Sequence, residues 1–395
     1  MTSAAPAPTI LWRQVITLAT VQAIISLMWV IYGAYMPDLF AQMGLPGEAI
    51  ALLFMVESGI AIAVYPIAGS LSDRSLHWLG TRFPIISSGV VAAATLFILI
   101  PALAIAGGAA FRWSIIFLLV AWAIAMTLFH SPIVSLLFIY SSVPQLPLVA
   151  SCLIFAQQLV GLAKPLVERG LLTLGPLVTF WVASMVLLGA SFVLRRITPP
   201  AAPVVQMRSP GWRPLTFIGL AGLTIGWGTR LVMGNIPKFV LSLQPDFNGD
   251  RLMFFVALGL AAATLPAGWL ARKIGNRPIL ILGLATTIIL SLLLIVPSSG
   301  LRLLCAGLLP LSLSSIFNGA FPFALTHVPG ERAGLGIGMY LAGTAAAAVS
   351  FGWIIPTPEA LTPEFLAIVG AIALGLCIGC VALTPDPPPP LVDAK

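Results

Sequence analysis

The stretch Ala68-Gly69-Ser70-Leu71-Ser72-Asp73-Arg74-Ser75-Leu76-His77-Trp78-Leu79-Gly80-Thr81-Arg82-Phe83-Pro84 decides the fold. It is a short polar, charged hairpin between two long apolar segments, about 48–70 and 84–106. One ionised group at the centre of a bilayer costs about 2.5–3.5 kcal/mol on insertion scales. An apolar run that meets Asp, two Arg and a Gly therefore leaves the membrane there, and the hairpin reads as a turn at the membrane surface. Charge of this kind collects in any positive-inside loop. The order Gly…Ser-Asp-Arg…Gly-x-Arg is more specific than that bias.

The rest of the chain agrees. Of 395 residues, 59% are hydrophobic and 8% charged, and the mean hydropathy is +1.07. Soluble domains carry about 25% charged residues, so the class is a polytopic α-helical membrane protein. A transmembrane barrel needs alternating segments of about ten residues, and the sequence has long unbroken apolar runs instead. The net charge of +7 is spread over short loops. It reads as orientation in the bilayer, not as a nucleic-acid surface. Cys152, Cys305, Cys377 and Cys380 all lie in apolar stretches. The Cys377-x-x-Cys380 spacing has no His or acid beside it, so packing is the better reading. The first apolar run, from about Leu11 to Met36, is longer than the hydrophobic core of a signal peptide and is expected to stay as a span.

Hydropathy divides the chain into twelve spans: about 11–36, 48–70, 84–106, 112–140, 148–170, 173–194, 214–241, 251–271, 278–297, 301–326, 334–356 and 364–383. Each approaches or exceeds the roughly 20 residues a bilayer requires. The Pro- and Arg-rich segment from Arg195 to Arg213 reads as an exposed linker. The expected division is a six-helix half over 1–194, a cytoplasmic linker over 195–213 and a second six-helix half over 214–395. With the N-terminus inside, the inner side holds 12 of the 19 Lys and Arg residues, Lys395 among them. Both termini are then cytoplasmic, in an inner or plasma membrane.

The halves repeat. Ala68-Gly69 through Pro84 has a counterpart in Ala267-Gly268-Trp269-Leu270-Ala271-Arg272-Lys273-Ile274-Gly275-Asn276-Arg277-Pro278. Both keep Ala-Gly, a basic residue, Gly-x-Arg and a Pro that opens the next helix. Val143-Pro144 before the fifth span is mirrored by Val328-Pro329 before the eleventh. Gly69 to Gly80 spans eleven positions and Gly268 to Gly275 seven, so the first hairpin carries one extra helical turn.

Gly-x-Leu-Ser-Asp-Arg, a spacer and Gly-x-Arg resemble the signature between the second and third helices of the major facilitator superfamily. The two related halves resemble its architecture. The longer first hairpin is similar to that of the sugar:cation symporters (glycoside–pentoside–hexuronide type) and plant sucrose carriers, although Thr81 and Phe83 stand where those have further Arg residues. Pro329-Gly330-Glu331-Arg332-Ala333-Gly334 resembles the loop before the eleventh helix of the superfamily. The resemblance implies a conformational latch made by Gly69, Asp73, Arg74, Gly80, Arg82, Glu331 and Arg332. In it Asp73 docks on the N-terminus of the eleventh helix, where free N–H groups favour a carboxylate, and Arg82 anchors the inner face. Arg272 stands where the second half would need an acid, so one half alone carries the full latch.

Polar groups inside spans are few. Glu57, near the middle of the second span, is the one deep acid, either a proton carrier or a permanently paired structural carboxylate. His130 in the fourth span is either a proton relay or a packing residue. Arg230 in the seventh and Lys164 in the fifth are the complementary cations, for a solute carboxylate or phosphate or else for snorkelling to headgroups. Gln22, Tyr32, Gln157, Gln158, Trp227, Asn235 and Asn318 either line a polar cavity or join helices. The Ala342–Ala348 run reads as packing surface without chemistry.

The expected fold is all-α, with twelve transmembrane helices in two pseudo-symmetric halves. The expected function is secondary active transport of a small polar organic solute by alternating access, proton-coupled, by a monomer without cofactor or metal. The fifth span lacks the dense Gly-Pro pattern of drug antiporters, which favours uptake. The alternative is a non-transporting assembly or pigment-delivery member of the same fold. No metal cluster, nucleophile elbow or phosphate loop points to an enzyme.

Overall fold

The computed structural model describes residues 10–200, 211–243, 248–355, 357 and 361–385. Much of the expected linker, with Arg208, and the C-terminal Lys395 lie outside the described residues. Apolar chain in a bilayer must satisfy every backbone N–H and C=O internally, which leaves the helix as the element for runs without alternation. Twelve long helices result among the described residues: α1 Trp12–Gln42, α2 Glu48–Leu79, α3 Phe83–Gly107, α4 Arg112–Ser135, α5 Leu146–Leu174, α6 Pro176–Ile197, α7 Trp212–Leu243, α8 Gly249–Ile274, α9 Asn276–Leu293, α10 Ser299–Thr326, α11 Ala333–Ile354 and α12 Pro363–Leu383. Each is apolar and long enough to cross a membrane. Large apolar side chains such as Leu52, Phe117, Phe192 and Ile372 face outward. A surface of that kind is stable in lipid and not in water.

α1 packs on α5 and α6 and α3 on α4 and α6, while α7 packs on α11 and α12 and α9 on α10 and α12. The two groups meet where α2 packs on α11 and α5 on α8. These contacts are pseudo-symmetric. Gly69 of α2 lies against the Gly334 backbone at the start of α11, and Gly268 of α8 lies against Pro147 and Ser151 at the start of α5. A Cβ at either glycine would overlap its neighbour, so the close approach of the helices depends on the missing side chain.

The quoted hairpin is mostly helix. α2 continues through Asp73 and His77 to Leu79, and the chain reverses at Gly80, which has φ +67° and caps the helix. Gly275 opens α9 with φ +97°. The left-handed φ at both positions explains the repeated glycine, and the extra turn of the first hairpin is one more turn of α2. The mirrored Val-Pro loops also match, each with a single 3-10 turn: Val143–Gln145, which contains Val143-Pro144, before α5, and Gly330–Arg332, which follows Val328-Pro329, before α11.

Hydrogen bonds tie the hairpin end of the bundle together. Leu11 N–H donates to the Tyr140 carbonyl (3.0 Å), and Gln14 Nε2 to the Ile197 carbonyl (3.0 Å). Arg277, the counterpart of Arg82, donates to the Ala382 and Thr384 carbonyls at the end of α12.

Candidate functional site

Two cavities lie between the helix groups. The smaller, of about 400 Å3, is walled by Trp29 and Tyr32 of α1, Phe54, Glu57 and Tyr65 of α2, Thr127 of α4, Arg230 of α7 and Thr344 of α11. Tyr32 is fully buried and its phenol donates a hydrogen bond to Oε1 of Glu57. An aromatic column holds that tyrosine. Its ring stacks on Trp122 (4.4 Å between centroids), Trp122 on Phe97 (4.9 Å), and Phe97 on Phe180 (4.2 Å). Stacked rings in a packed core admit little rotamer freedom, so Tyr32 presents a fixed donor to Glu57.

The larger cavity, of about 740 Å3, is lined by His130 of α4, Gln157 and Gln158 of α5, Thr229, Arg230 and Met233 of α7, Phe317 and Phe321 of α10, and Tyr340, Thr344 and Phe351 of α11. Arg230 and Thr344 line both spaces. One guanidinium nitrogen of Arg230 donates to the Gly226 carbonyl of its own helix at 3.0 Å. Glu57 and Arg230 share the smaller cavity, yet they form no ion pair with each other. Glu57 is buried, whereas Arg230 is exposed to the cavity space, so the guanidinium stays open to a further anionic partner. His130 adds a buried Nε2 without a hydrogen-bond partner, and its ring lies 6.1 Å from that of Tyr65.

Toward the hairpin end a buried polar cluster joins α2, α4 and α11. Asp73, fully buried, accepts hydrogen bonds from Gly334 N–H (3.0 Å, to Oδ1) and Leu335 N–H (2.8 Å, to Oδ2) at the start of α11. Arg82 pairs with the same carboxylate, and Ser131 of α4 donates to the Gly334 carbonyl at 2.8 Å. A carboxylate on the first N–H groups of a helix satisfies orphan donors and meets the positive end of the helix dipole.

No protein-family model and no curated protein matches the sequence. Solved structures do match the fold. A bacterial homologue of the iron transporter ferroportin in an outward-facing state superposes with TM-score 0.72 and 16% identity, over 94% of this chain and 98% of that one. The transporter FucP of the major facilitator superfamily, in its outward conformation, gives TM-score 0.71 and 12% identity over 94% and 98%. The E. coli fucose:proton symporter FucP gives 0.69 and 11% over 95% and 98%. The chain has the major facilitator superfamily fold. Twelve apolar helices in that fold make it an integral membrane protein.

Within the major facilitator fold, the structure brings Tyr32, Glu57 and Arg230 to one cavity and His130, Gln157, Gln158 and Arg230 to the other. The remaining candidates lie elsewhere. Trp227 donates to Ser350 Oγ (2.8 Å) and packs edge-on against Phe351. Asn235 is bonded to the Pro363 carbonyl (2.8 Å) and Asn318 to that of Thr264 (2.8 Å), each joining two helices. Lys164 is exposed on α5 and lines neither cavity. Gln22 is buried in α1.

Three details differ from the sequence reading. Arg82 is 2% exposed and neutralises Asp73, so it does not anchor the membrane surface. Arg74 is the exposed cation of the hairpin. Glu57 lies nine residues from the start of α2 at Glu48 and twenty-two from its end at Leu79, because the helix runs on past its apolar segment. The Ala342–Ala348 run does line cavity space, through Thr344, Ala345 and Ala348, since small residues leave room for it. The sequence reading missed Ser131 and the column of Trp122, Phe97 and Phe180. Ser131 directly follows His130, and the three rings lie on the buried faces of α4, α3 and α6, which is the available signal.

Proposed function

We propose that the chain is a secondary active transporter that moves a small polar organic solute by alternating access, coupled to protons. The observation that carries this reading is the pair Glu57 and Arg230, unpaired with each other, on one cavity walled by helices of both groups. Glu57 is the coupling acid, with His130 as a second proton station. Arg230 with Gln157, Gln158 and Tyr32 forms the solute contact. Asp73, Arg82, Gly69 and Gly80 form the latch that holds α2 on α11, with Glu331, Arg332 and Arg74 at its rim. The halves are 1–194 and 214–395, joined by a linker over 195–213, and each moves as a unit. The hairpin end is cytoplasmic, as are both termini, and the protein works as a monomer.

The fold neighbours support transport, and the fucose:proton symporter among them supports proton coupling of an organic solute. Arg230 repels a divalent metal ion from the space beside Glu57, so the precedent of the iron transporter fits less well. An assembly role needs no charged groups facing a cavity, so Glu57 and Arg230 favour transport over it. Proteoliposomes given a panel of solutes, with and without a pH gradient, test the reading. Accumulation of a solute only with the gradient is expected. Gradient-independent permeability equal to that of protein-free vesicles contradicts it.

A further inference from the structure

We infer, building on the transport reading, that the solute is an organic anion: its carboxylate binds Arg230 and its body lies in the larger cavity, while Glu57 is neutral. A guanidinium has five N–H donors in a planar fork that fits a carboxylate. Arg230 donates once, to the Gly226 carbonyl, and lines both cavities with its remaining donors uncommitted. The larger cavity also offers the amides of Gln157 and Gln158 and the rings of Phe317, Phe321 and Phe351, which suit an organic body with polar substituents.

The charge inventory gives the sign of coupling. Glu57 and Arg230 are the two formally charged side chains in the linings. The groups facing Glu57 are the phenols of Tyr32 from α1 and Tyr65 on α2, the hydroxyl of Thr127 from α4, Arg230 from α7 and Thr344 from α11. His130 borders Tyr65 from the larger cavity, which it shares with Tyr340. With Glu57 ionised, the two charges of the lining balance at long range. With Glu57 protonated, Arg230 has no counter-charge until an anion arrives. Glu57 is buried and Arg230 exposed on the same lining, and two carboxylates that share one cation repel each other, so proton and organic anion bind together, and the loaded cavity carries the same net charge as the empty one. A neutral solute would bind without regard to Glu57. A cation or a zwitterion would require Glu57 ionised, and its binding would strengthen as the pH rises.

Two sets of probes with common skeletons test this on purified full-length protein: 4-hydroxyphenylacetate, 4-hydroxyphenylacetamide, tyramine and tyrosine, and butyrate, butyramide, butylamine and 4-aminobutyrate. Binding is read as thermal stabilisation, which follows ligand affinity, at acidic and alkaline pH. The expected result is that at least one carboxylate binds, more tightly at acidic pH, and at least tenfold better than its amide, amine and amino-acid partners. Arg230→Gln should abolish that binding, and Glu57→Gln should keep it and remove its pH dependence. An amide, amine or amino acid that binds better than its carboxylate, or carboxylate binding that rises with pH, overturns the inference.

A second measurement needs no ligand. Infrared difference spectra, with Glu57→Gln used to assign the Glu57 bands, read how much Glu57 is ionised at a fixed pH. Arg230→Gln should leave less of it ionised than in the wild type, whereas Arg230→Lys should match the wild type. Equal ionisation in wild type and Arg230→Gln overturns the charge balance even if no probe binds. Counterflow of the best probe in proteoliposomes separates this inference from the transport reading. An amine or amide that is carried overturns the anion assignment and leaves transport standing. A carboxylate that binds as described but is not carried supports the anion assignment and contradicts transport.

Discussion

The carboxylate of Asp73 accepts the N–H of Gly334 at 3.0 Å across 261 positions of sequence, joining α2 to the first turn of α11. Leu335 N–H takes the other oxygen and Arg82 neutralises the charge. Asp73→Asn keeps the shape but loses the charge and one acceptor oxygen. A carboxylate at a partly buried helix N-terminus stabilises by up to about 2 kcal/mol, which corresponds to roughly a thirtyfold change in an equilibrium. The variant should shift toward states in which the hairpin ends of α2 and α11 stand apart. Distances between spin labels on those ends measure the shift, and an unchanged distribution contradicts the latch.

Arg82 and Asp73 should be strongly coupled. Removing one partner of a buried pair costs about 3–5 kcal/mol, because it leaves the other charge uncompensated. Asp73→Ala and Arg82→Ala should each lower thermal stability in detergent, and the double variant should lose less than the sum. The expected interaction energy is about 0.5–3 kcal/mol in a double-mutant cycle. Additive losses contradict the pairing.

Gly69→Ala tests the close approach. The new methyl would meet the Gly334 carbonyl and stand 2.9 Å from Leu335 N. Overpacking of this kind costs about 1–3 kcal/mol, and here it should act on the α2–α11 contact and widen the same label distances. Gly59→Ala, on the same helix with open space around it, should leave them unchanged. Equal effects of the two variants contradict the account.

Much of this architecture was legible in the sequence, because a bilayer leaves few alternatives for long apolar runs. All twelve helices fall on the apolar runs, and the repeated Gly-x-Arg corners have the left-handed glycines their recurrence implies. The site was legible residue by residue but not as a constellation. Periodicity places Glu57 and Arg230 inside spans, yet only packing tells that they share a cavity while Asn235 and Asn318 do not. Arg82 shows the same limit. One loop arginine resembles another in sequence, and the burial of this one is set by the fit of α2 on α11.

Arg230→Lys separates recognition from snorkelling. A lysine keeps the charge but not the planar, bidentate fork, so solute affinity should fall about tenfold or more, as expected for loss of one charge-assisted hydrogen bond. Equilibrium binding to purified protein measures it. Near-normal affinity in the lysine variant contradicts a role for the guanidinium.

Glu57 carries the central claim, since its carboxyl faces the cavity with the fixed phenol of Tyr32 on one oxygen. Glu57→Gln keeps size and hydrogen bonding but cannot bind or release a proton. The decisive measurement is solute uptake by proteoliposomes under an inward proton gradient, compared with solute exchange without a gradient. The wild type should concentrate the solute, whereas Glu57→Gln should exchange it at close to the wild-type rate and fail to concentrate it. If Glu57→Gln still concentrates the solute with protons, Glu57 is structural and the account of coupling is wrong.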